Sequence, residues 1–192
     1  MSELRIYSVE HDQPRVLAVY EHGKDIAAEL AHIEVLFERW EANADLDEEA
    51  SQDEVIEAYH ESIDRLMQKY GFQSVDVVAM HPEHPGKEEL RKKFLNEHVH
   101  SEFEVRFFVD GSGIFYIHRD DKVYVVHCKR GDLISVPAGY KHWFDMGSEP
   151  SFKAIRLFTS AEGWVANFTD DPIASRFPNM DEFKRERLAR AG

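Results

Sequence analysis

The sequence contains one cysteine, few basic residues and no long apolar run. A single thiol, Cys128, excludes a disulfide within the chain, and nothing in the cysteine usage indicates an oxidising compartment. No stretch approaches the ~18 apolar residues of a membrane span. The N-terminal residues lack the basic and apolar segments of a signal peptide. We therefore expect a cytoplasmic protein that does not associate with membranes.

Basic residues are outnumbered by acidic ones. The 192 residues include 23 Lys and Arg against 37 Asp and Glu, which gives a formal net charge of −14. Because nucleic acids are bound through patches of Lys and Arg, we expect no nucleic-acid partner. The hydrophobic content of 43% is that of an ordinary globular protein. Length and composition predict a single domain over 1–192, and we expect a monomer that acts on small molecules.

The chain divides into a helical front over about 22–71, a barrel core over about 74–170 and a C-terminal tail over 171–192. In the front, apolar residues from Ile26 to Trp40 recur at helical spacing and predict one helix. Ser51 and Glu54 form a capping box that would begin a second helix. Short β-rich runs, separated by Gly, Pro and Asp, fill the core and predict an antiparallel sandwich or barrel. The predicted fold class is mainly β with helices (α+β), an antiparallel β-barrel preceded by two helices.

A set of metal-ligating side chains lies at the start of the core. His98 and His100 are two residues apart, and alternate residues on a strand share a face. Glu104 and Arg106 have the same parity, so an uninterrupted strand would project all four side chains to one side. Two imidazoles and a carboxylate form a facial set that suits iron(II) and leaves coordination positions open.

A fourth candidate ligand, His142, follows a predicted strand and a turn that contains Pro137 and Gly139. The turn would return the chain over the sheet, where His142 could meet the first set. A lone His-x-His pair is more often a surface or packing feature than a metal site. The combined pattern is much less expected by chance, and it predicts that one metal ion binds per chain.

The two segments that carry these ligands resemble the two motifs of cupins, whose fold is a small antiparallel β-barrel with the metal inside. Lys92 and Met146 depart from the usual cupin Gly and Asn, but neither position is a ligand. The runs KFLNEHVHSEFEVRFFVDGSGIFYIH, DLISVPAGYKHWFDMG and FKAIRLFTSAEGWVANFT closely resemble the bacterial acireductone dioxygenase family. This resemblance covers about residues 75 to 170.

The resemblance implies that His98, His100, Glu104 and His142 bind Fe(II) or Ni(II). It implies an enzyme of methionine salvage that uses O2 and 1,2-dihydroxy-5-(methylthio)pent-1-en-3-one. With Fe(II) the implied products are 4-methylthio-2-oxobutanoate and formate. With Ni(II) they are 3-(methylthio)propanoate, formate and carbon monoxide.

Three further positions match the family. Arg106 matches an arginine thought to help generate and hold the substrate dianion, and we expect it to be catalytic. Glu97 matches a position proposed to assist metal loading. Phe103 occupies a position where relatives tend to have an acidic residue linked to conformational change, so the role of that position is open in this chain.

Several side chains could line a substrate pocket. Phe94 and Phe144 share parity with His98 and His142, and Trp164 lies in the segment EGW. Each aromatic is explained equally well as barrel core. Arg156 lies within an otherwise apolar strand, where a charged group needs a partner. That partner could be a structural carboxylate or the substrate.

Two other functions remain open on the residues alone. One is a different metal-dependent cupin enzyme, such as a sugar-phosphate isomerase, which would need a basic pocket for phosphate. The strand-rich region has few basic residues outside Lys129 and Arg130, which disfavours it. The other is a non-enzymatic metal- or ligand-binding cupin, which would have no need of Arg106 facing the metal.

Overall fold

Two antiparallel sheets that share one long strand form the centre of the molecule. The computed structural model describes residues 1–10, 13–47, 49–160 and 165–191. The strands are β1 (Glu3–Ser8), β2 (Arg15–Tyr20), β3 (Leu36–Arg39), β4 (Ser74–Met80), β5 (His98–Val99), β6 (Glu104–Arg119), β7 (Lys122–Lys129), β8 (Asp132–Val136), β9 (Lys141–Asp145), β10 (Phe152–Phe158) and β11 (Asn167–Phe168). The helices are α1 (Gly23–Ala31), α2 (Gln52–Ala58), α3 (His60–Tyr70), α4 (Lys87–Phe94) and α5 (Met180–Ala191), with a 3-10 helix at Pro172–Arg176.

The long strand β6 connects the two sheets. Its first half pairs with β10 and β8, and its second half pairs with β7 and β9. One sheet therefore has the order β11-β5-β9-β6-β7-β1-β2, and the other runs β4-β10-β6-β8-β3. The change of sheet occurs near Gly111, whose φ is +67°. A Cβ there would lie 2.0 Å from the carbonyl oxygen of Ser151, so this close approach requires glycine.

Aromatic side chains fill part of the space between the sheets. Phe108, Phe115, Phe144 and Phe152 are all buried, and their ring centroids lie 5.1–6.5 Å apart in several tilted or edge-on pairs. Each buried ring contributes about 1.5–3 kcal/mol to folding. The predicted class, mainly β with helices and an antiparallel sheet, is confirmed.

The front of the chain differs from the prediction of one helix that continues to Trp40. Helix α1 ends at Ala31, and Glu34 adopts a left-handed conformation with φ of 59°. Residues Leu36–Arg39 then form β3, which pairs antiparallel with β8. The backbone groups of this segment are satisfied by the sheet, and Phe37 is buried against the core. Apolar spacing of three and four residues did not distinguish this helix–turn–strand from one long helix.

The second predicted helix begins as expected. The Ser51 hydroxyl accepts a hydrogen bond from the backbone N–H of Glu54, and the Glu54 carboxylate accepts one from the backbone N–H of Ser51. The helix is interrupted at Tyr59 and continues as α3. It ends at Gly71, where φ is 72°, as expected for a glycine at a helix C-terminus.

The C-terminal helix α5 packs on the sheet beside β1. Phe183 is fully buried, and the guanidinium of Arg5 lies 3.5 Å from the centre of its ring. The buried Glu3 carboxylate forms an ion pair with Arg187 on α5 at 3.2 Å. Within the described residues, no helix combines the length and apolar character needed to cross a membrane.

Candidate metal centre

Three histidines and one glutamate converge inside the barrel. His98 on β5 pairs directly with His142 on β9, and His100 follows two residues after His98. The potential ligand atoms of the three histidines all lie within 4.8 Å of one another. Glu104, the first residue of β6, places its Oε2 3.2 Å from Nε2 of His100 and 3.8 Å from Nε2 of His142. All four side chains are buried.

The path of the chain between these residues differs from the predicted uninterrupted strand. Strand β5 ends at Val99, and β6 begins at Glu104. His100 belongs to the intervening loop, and its carbonyl accepts a hydrogen bond from the backbone N–H of Gly139. The side chains therefore meet because β5 pairs with β9, and because the loop is held against the turn before β9.

Each imidazole is oriented by a backbone carbonyl. In all three rings Nδ1 lies 2.8–2.9 Å from a carbonyl oxygen, so Nδ1–H donates and Nε2 is left with its lone pair. The pairs are His98 with Asn96, His100 with Val165, and His142 with Tyr140. The three histidines are therefore oriented as metal ligands in the protein itself.

The electrostatics of the cluster favour a bound cation. Burial lowers the pKa of His98, and it lowers the pKa of His142 to about 3, which keeps these imidazoles neutral. Burial alone would raise the pKa of Glu104, but the charges of Arg106 and the nearby imidazoles hold it well below its usual value. The pKa of His100 is lowered by burial but raised on balance by Glu104. The neutral imidazoles of His98 and His142 thus share the cluster with an ionised carboxylate.

A positive charge placed between the imidazole nitrogens and the Glu104 carboxylate would be attracted by both. Three imidazole nitrogens and one carboxylate oxygen are donors that suit iron, nickel and other divalent transition metals. The residues present therefore fit a divalent metal ion.

Arg106 lies beside the cluster and is buried. Its Nη2 donates a hydrogen bond to Oε1 of Glu104 at 2.8 Å. Its Nε has no hydrogen-bond partner among the described residues. The guanidinium carbon lies 4.6 Å and 4.8 Å from the ring centres of Phe144 and Phe115. Arg106 is thus held in place by a carboxylate and two rings, and it retains a donor for another group.

The cluster opens into a cavity of about 280 Å³. Its lining contains both polar and apolar side chains. The polar residues are His98, His100, Glu104, Arg106, His142, Arg156 and Lys93, and the apolar residues are Val78, Met80, Leu90, Phe94, Phe115, Phe144, Phe158, Ala166 and Phe168.

Three of the four predicted pocket residues line this cavity. Phe144 does so from β9, and Phe94 does so from the end of α4 instead of the expected strand. Arg156 also lines it, and its guanidinium donates two hydrogen bonds to Asp76, at 2.8 Å and 2.6 Å. Its partner in the protein is therefore a carboxylate. Trp164 lies outside the described residues.

Glu97 and Phe103 do not line the cavity. The Glu97 carboxylate accepts hydrogen bonds from Nδ1 of His118 at 2.7 Å and from the hydroxyl of Thr169 at 2.8 Å. Phe103 packs against the ring of Tyr70, with centroids 6.4 Å apart. These contacts hold neighbouring segments together, and the roles of Glu97 in metal loading and of Phe103 in conformational change stay predictions.

Sequence reasoning missed several cavity residues. Val78 and Met80 lie on β4, where they share a face with Asp76. The period-two pattern of this strand could have indicated their common face, but not which cavity it faces. Leu90 lies on α4, a largely charged helix whose sequence gave no strong amphipathic signal.

Similar sequences are known from one protein family. The sequence model of the ARD/ARD' family matches residues 3–166. The chain is 59% identical to the acireductone dioxygenase of Aquifex aeolicus over 182 residues, which cover 95% of this chain and 98% of that protein. It is 54% identical to the acireductone dioxygenase of Methylococcus capsulatus over 165 residues, 86% of this chain and 89% of that protein.

A solved structure is also similar. The acireductone dioxygenase from Bacillus anthracis, which has a cadmium ion in its active centre, matches with a TM-score of 0.77 and 29% sequence identity. The match covers 88% of this chain and 98% of that protein. The predicted cupin barrel is thereby confirmed. The cadmium in that protein and the cluster of His98, His100 and His142 here both indicate a metal site.

Proposed function

This chain belongs to the acireductone dioxygenase (ARD/ARD') family, and we propose that it oxidises 1,2-dihydroxy-5-(methylthio)pent-1-en-3-one with O2 in methionine salvage. The observation that carries the proposal is one cavity that combines three features. It has four metal-ligating side chains, an arginine with an unused N–H, and an apolar remainder. This combination matches a substrate with an acidic enediol at one end and a thioether at the other.

His98, His100, Glu104 and His142 would hold one Fe(II) or Ni(II) ion. When bound, the ion would supply a Lewis-acidic centre with open positions for the two enediolate oxygens. The carbonyl contacts to each Nδ1 keep Nε2 available for coordination. Because the pKa of Glu104 is low, its carboxylate is already ionised before a metal binds.

Arg106 would stabilise the negative charge of the substrate. Its guanidinium lies next to Glu104, so a ligand that reaches the metal ligands also comes within reach of the arginine. The unpartnered Nε–H is a donor suited to an oxyanion, and a planar fork of donors suits such groups better than a lysine does. The rings of Phe144 and Phe115 prevent the guanidinium from turning away.

The apolar lining would hold the methylthio end and exclude water. Val78, Leu90 and Phe94 provide no hydrogen-bonding side chains, so they favour a thioether over a polar substituent. Exclusion of water strengthens the interaction between Arg106 and the oxyanion, because charges interact more strongly at low dielectric.

We further propose that the metal determines the products. The Fe(II)-loaded protein would form 4-methylthio-2-oxobutanoate and formate. The Ni(II)-loaded protein would form 3-(methylthio)propanoate, formate and carbon monoxide. A donor set of three imidazoles and one carboxylate accepts either ion, which supports the binding of Fe(II) or Ni(II) at the same site.

The experiment that tests the enzymatic role compares two arginine substitutions. Arg106→Met should retain about one metal per chain but lower kcat/KM for O2 consumption about 100-fold or more, the usual cost of removing a donor to a developing or bound oxyanion. Arg106→Lys should recover part of the activity, since it restores the charge without the fork.

Arg65→Met is the matched control. Arg65 also stacks on an aromatic ring, that of Trp40 at 4.9 Å, but it lies on α3 and outside the cavity lining. Its substitution should leave kcat/KM within about two-fold, because the contact lies outside the cavity lining. The loss of this surface contact should cost only ~1 kcal/mol. Unchanged turnover in metal-loaded Arg106→Met would refute the role of this arginine and favour a binding protein.

A further inference from the structure

A second cleft shares one lining residue with the metal cavity. This outer cleft measures about 670 Å³ and is lined by residues that include Leu46, Ala79, Val109 and Phe152. Met80 lines the outer cleft and also the metal cavity, and among the described residues it alone lines both. Only 4% of Met80 is exposed, and it packs within the buried core cluster that also contains Phe144 and Phe152.

The position of Met80 along β4 places it far from the charged end of the cavity. Residues of β4 and β10 pair in the order Asp76 with Arg156, Val78 with Ala154, and Met80 with Phe152, and Arg156 pairs in turn with Arg106 on β6. Met80 lies four positions after Asp76, which is about 13 Å along a strand. The lining therefore changes from charged to apolar in the direction of Met80.

Met80 and Phe152 differ in the shape of their side chains. Phe152, the neighbour of Met80 across the strands, packs against the rings of Phe108 and Phe144, at 6.2 Å and 5.5 Å between centroids. Met80 has an unbranched side chain with three rotatable bonds, which adapts to irregular space. Shortening Met80 would open the metal cavity toward the outer cleft, whereas shortening Val78 would enlarge the metal cavity without joining the two.

We propose that Met80 sets the upper limit on the length of the apolar tail that the cavity accepts. The ligands concerned are bidentate oxygen chelators with a linear apolar substituent. The identity of the natural member of this class rests on the proposed function, but the length limit does not. Removal of the methionine side chain extends the tail site into the outer cleft.

Binding of linear alkyl hydroxamates to the nickel-loaded protein tests this limit without turnover. Hydroxamates are bidentate oxygen chelators, and each methylene that becomes buried improves Kd about four-fold. In the unmodified protein, calorimetry should show Kd improving with tail length and then worsening once the tail reaches Met80. In Met80→Ala the improvement should continue for at least two more methylenes, so that the longest tails bind about 15-fold tighter than to the unmodified protein.

Val78→Ala is the matched control, because it removes a similar apolar side chain from the same face of β4. It should not extend the length limit. Met80→Val is a milder variant that should extend the limit by a smaller amount, and it serves if the alanine variant does not fold. An unchanged length limit in the methionine variants, or an equal extension in Val78→Ala, would overturn the proposal.

Turnover of the proposed acireductone substrate by the unmodified protein, measured in parallel, separates this proposal from the proposed function. If hydroxamates show the extended limit and no acireductone is consumed, Met80 retains its role and the proposed reaction fails. If acireductones are consumed and the hydroxamate limit does not move, the reaction stands and the role of Met80 is wrong.

Discussion

His127 lies beneath the C-terminal helix, and its replacement should change how the stability of the protein depends on pH. The residue is on β7, only 2% exposed, and its ring lies 5.5 Å from that of Phe183 on α5. Neither ring nitrogen has a hydrogen-bond partner among the described residues. The charged groups that lower its pKa are Lys129, Arg187, Lys184 and the N-terminal amine, while Glu3, which is ion-paired with Arg187, lies opposite His127 in the pairing of β1 with β7.

These surroundings oppose a charge on the imidazole. Burial, reinforced by the positive neighbours, lowers the pKa of His127 from 6.5 to about 3. Between pH 6.5 and pH 3 the unfolded chain therefore binds a proton that the native state does not. The native state loses stability as the pH falls through this range. From pH 7 to pH 5 the loss from this residue is about 2 kcal/mol, or about 4–8 °C in Tm for a domain of this size.

The assay is thermal unfolding of the metal-loaded protein at pH 7 and pH 5. His127→Leu has a similar volume without a titrating group, and His127→Gln keeps a polar side chain without titration. Both variants should lose about 4–8 °C less than the unmodified protein between the two pH values. Only His127→Leu should also gain stability at pH 7, because it removes a buried polar group that lacks a partner.

An identical pH dependence in His127→Leu and the unmodified protein would refute this reasoning. It would mean that the native state binds the proton as readily as the unfolded chain does. A reduced pH dependence in His127→Leu but not in His127→Gln would assign the effect to packing and not to the proton.

Three other changes have defined outcomes. A divalent metal at about 100 times its Kd should stabilise the protein by about 2.7 kcal/mol and raise Tm by about 5–11 °C, and His142→Ala should abolish this shift in differential scanning fluorimetry. Gly113→Ala should displace the ring of Phe144, because the added Cβ would lie 2.3 Å from its Cζ, and should cost about 1–3 kcal/mol in urea unfolding. Asp76→Ala removes both hydrogen bonds to Arg156 and, because the pair is partly exposed, should cost only about 1 kcal/mol in the same assay.

Local features of the fold were predictable from the sequence. The capping box at Ser51 and the glycine stop at Gly71 involve groups a few residues apart, so their effect does not depend on the rest of the chain. The segment around Phe37 was predicted wrongly because its structure depends on a distant partner, β8. Apolar residues three and four positions apart were compatible with a helix, and the pairing with β8 decided the outcome.

In the candidate site, too, local patterns were predictable and contacts between distant strands were not. Motif spacing pointed to His98 and His142, but their contact results from pairing between β5 and β9, more than 40 positions apart in the sequence. The condition of an uninterrupted strand through His100 is not met, because β5 ends at Val99 and β6 begins at Glu104, yet the expected side chains converge. Met80 was not predicted because its place in the cavity follows from the register of β4 against β10, which no local pattern specifies.

The most direct test of the central claim is oxygen uptake by the Fe(II)-reconstituted protein when the acireductone is added. The account predicts rapid uptake that disappears in His98→Ala, since this substitution removes one of the three clustered histidines. Absence of uptake by the unmodified protein, with iron shown to be bound, would contradict the proposed reaction.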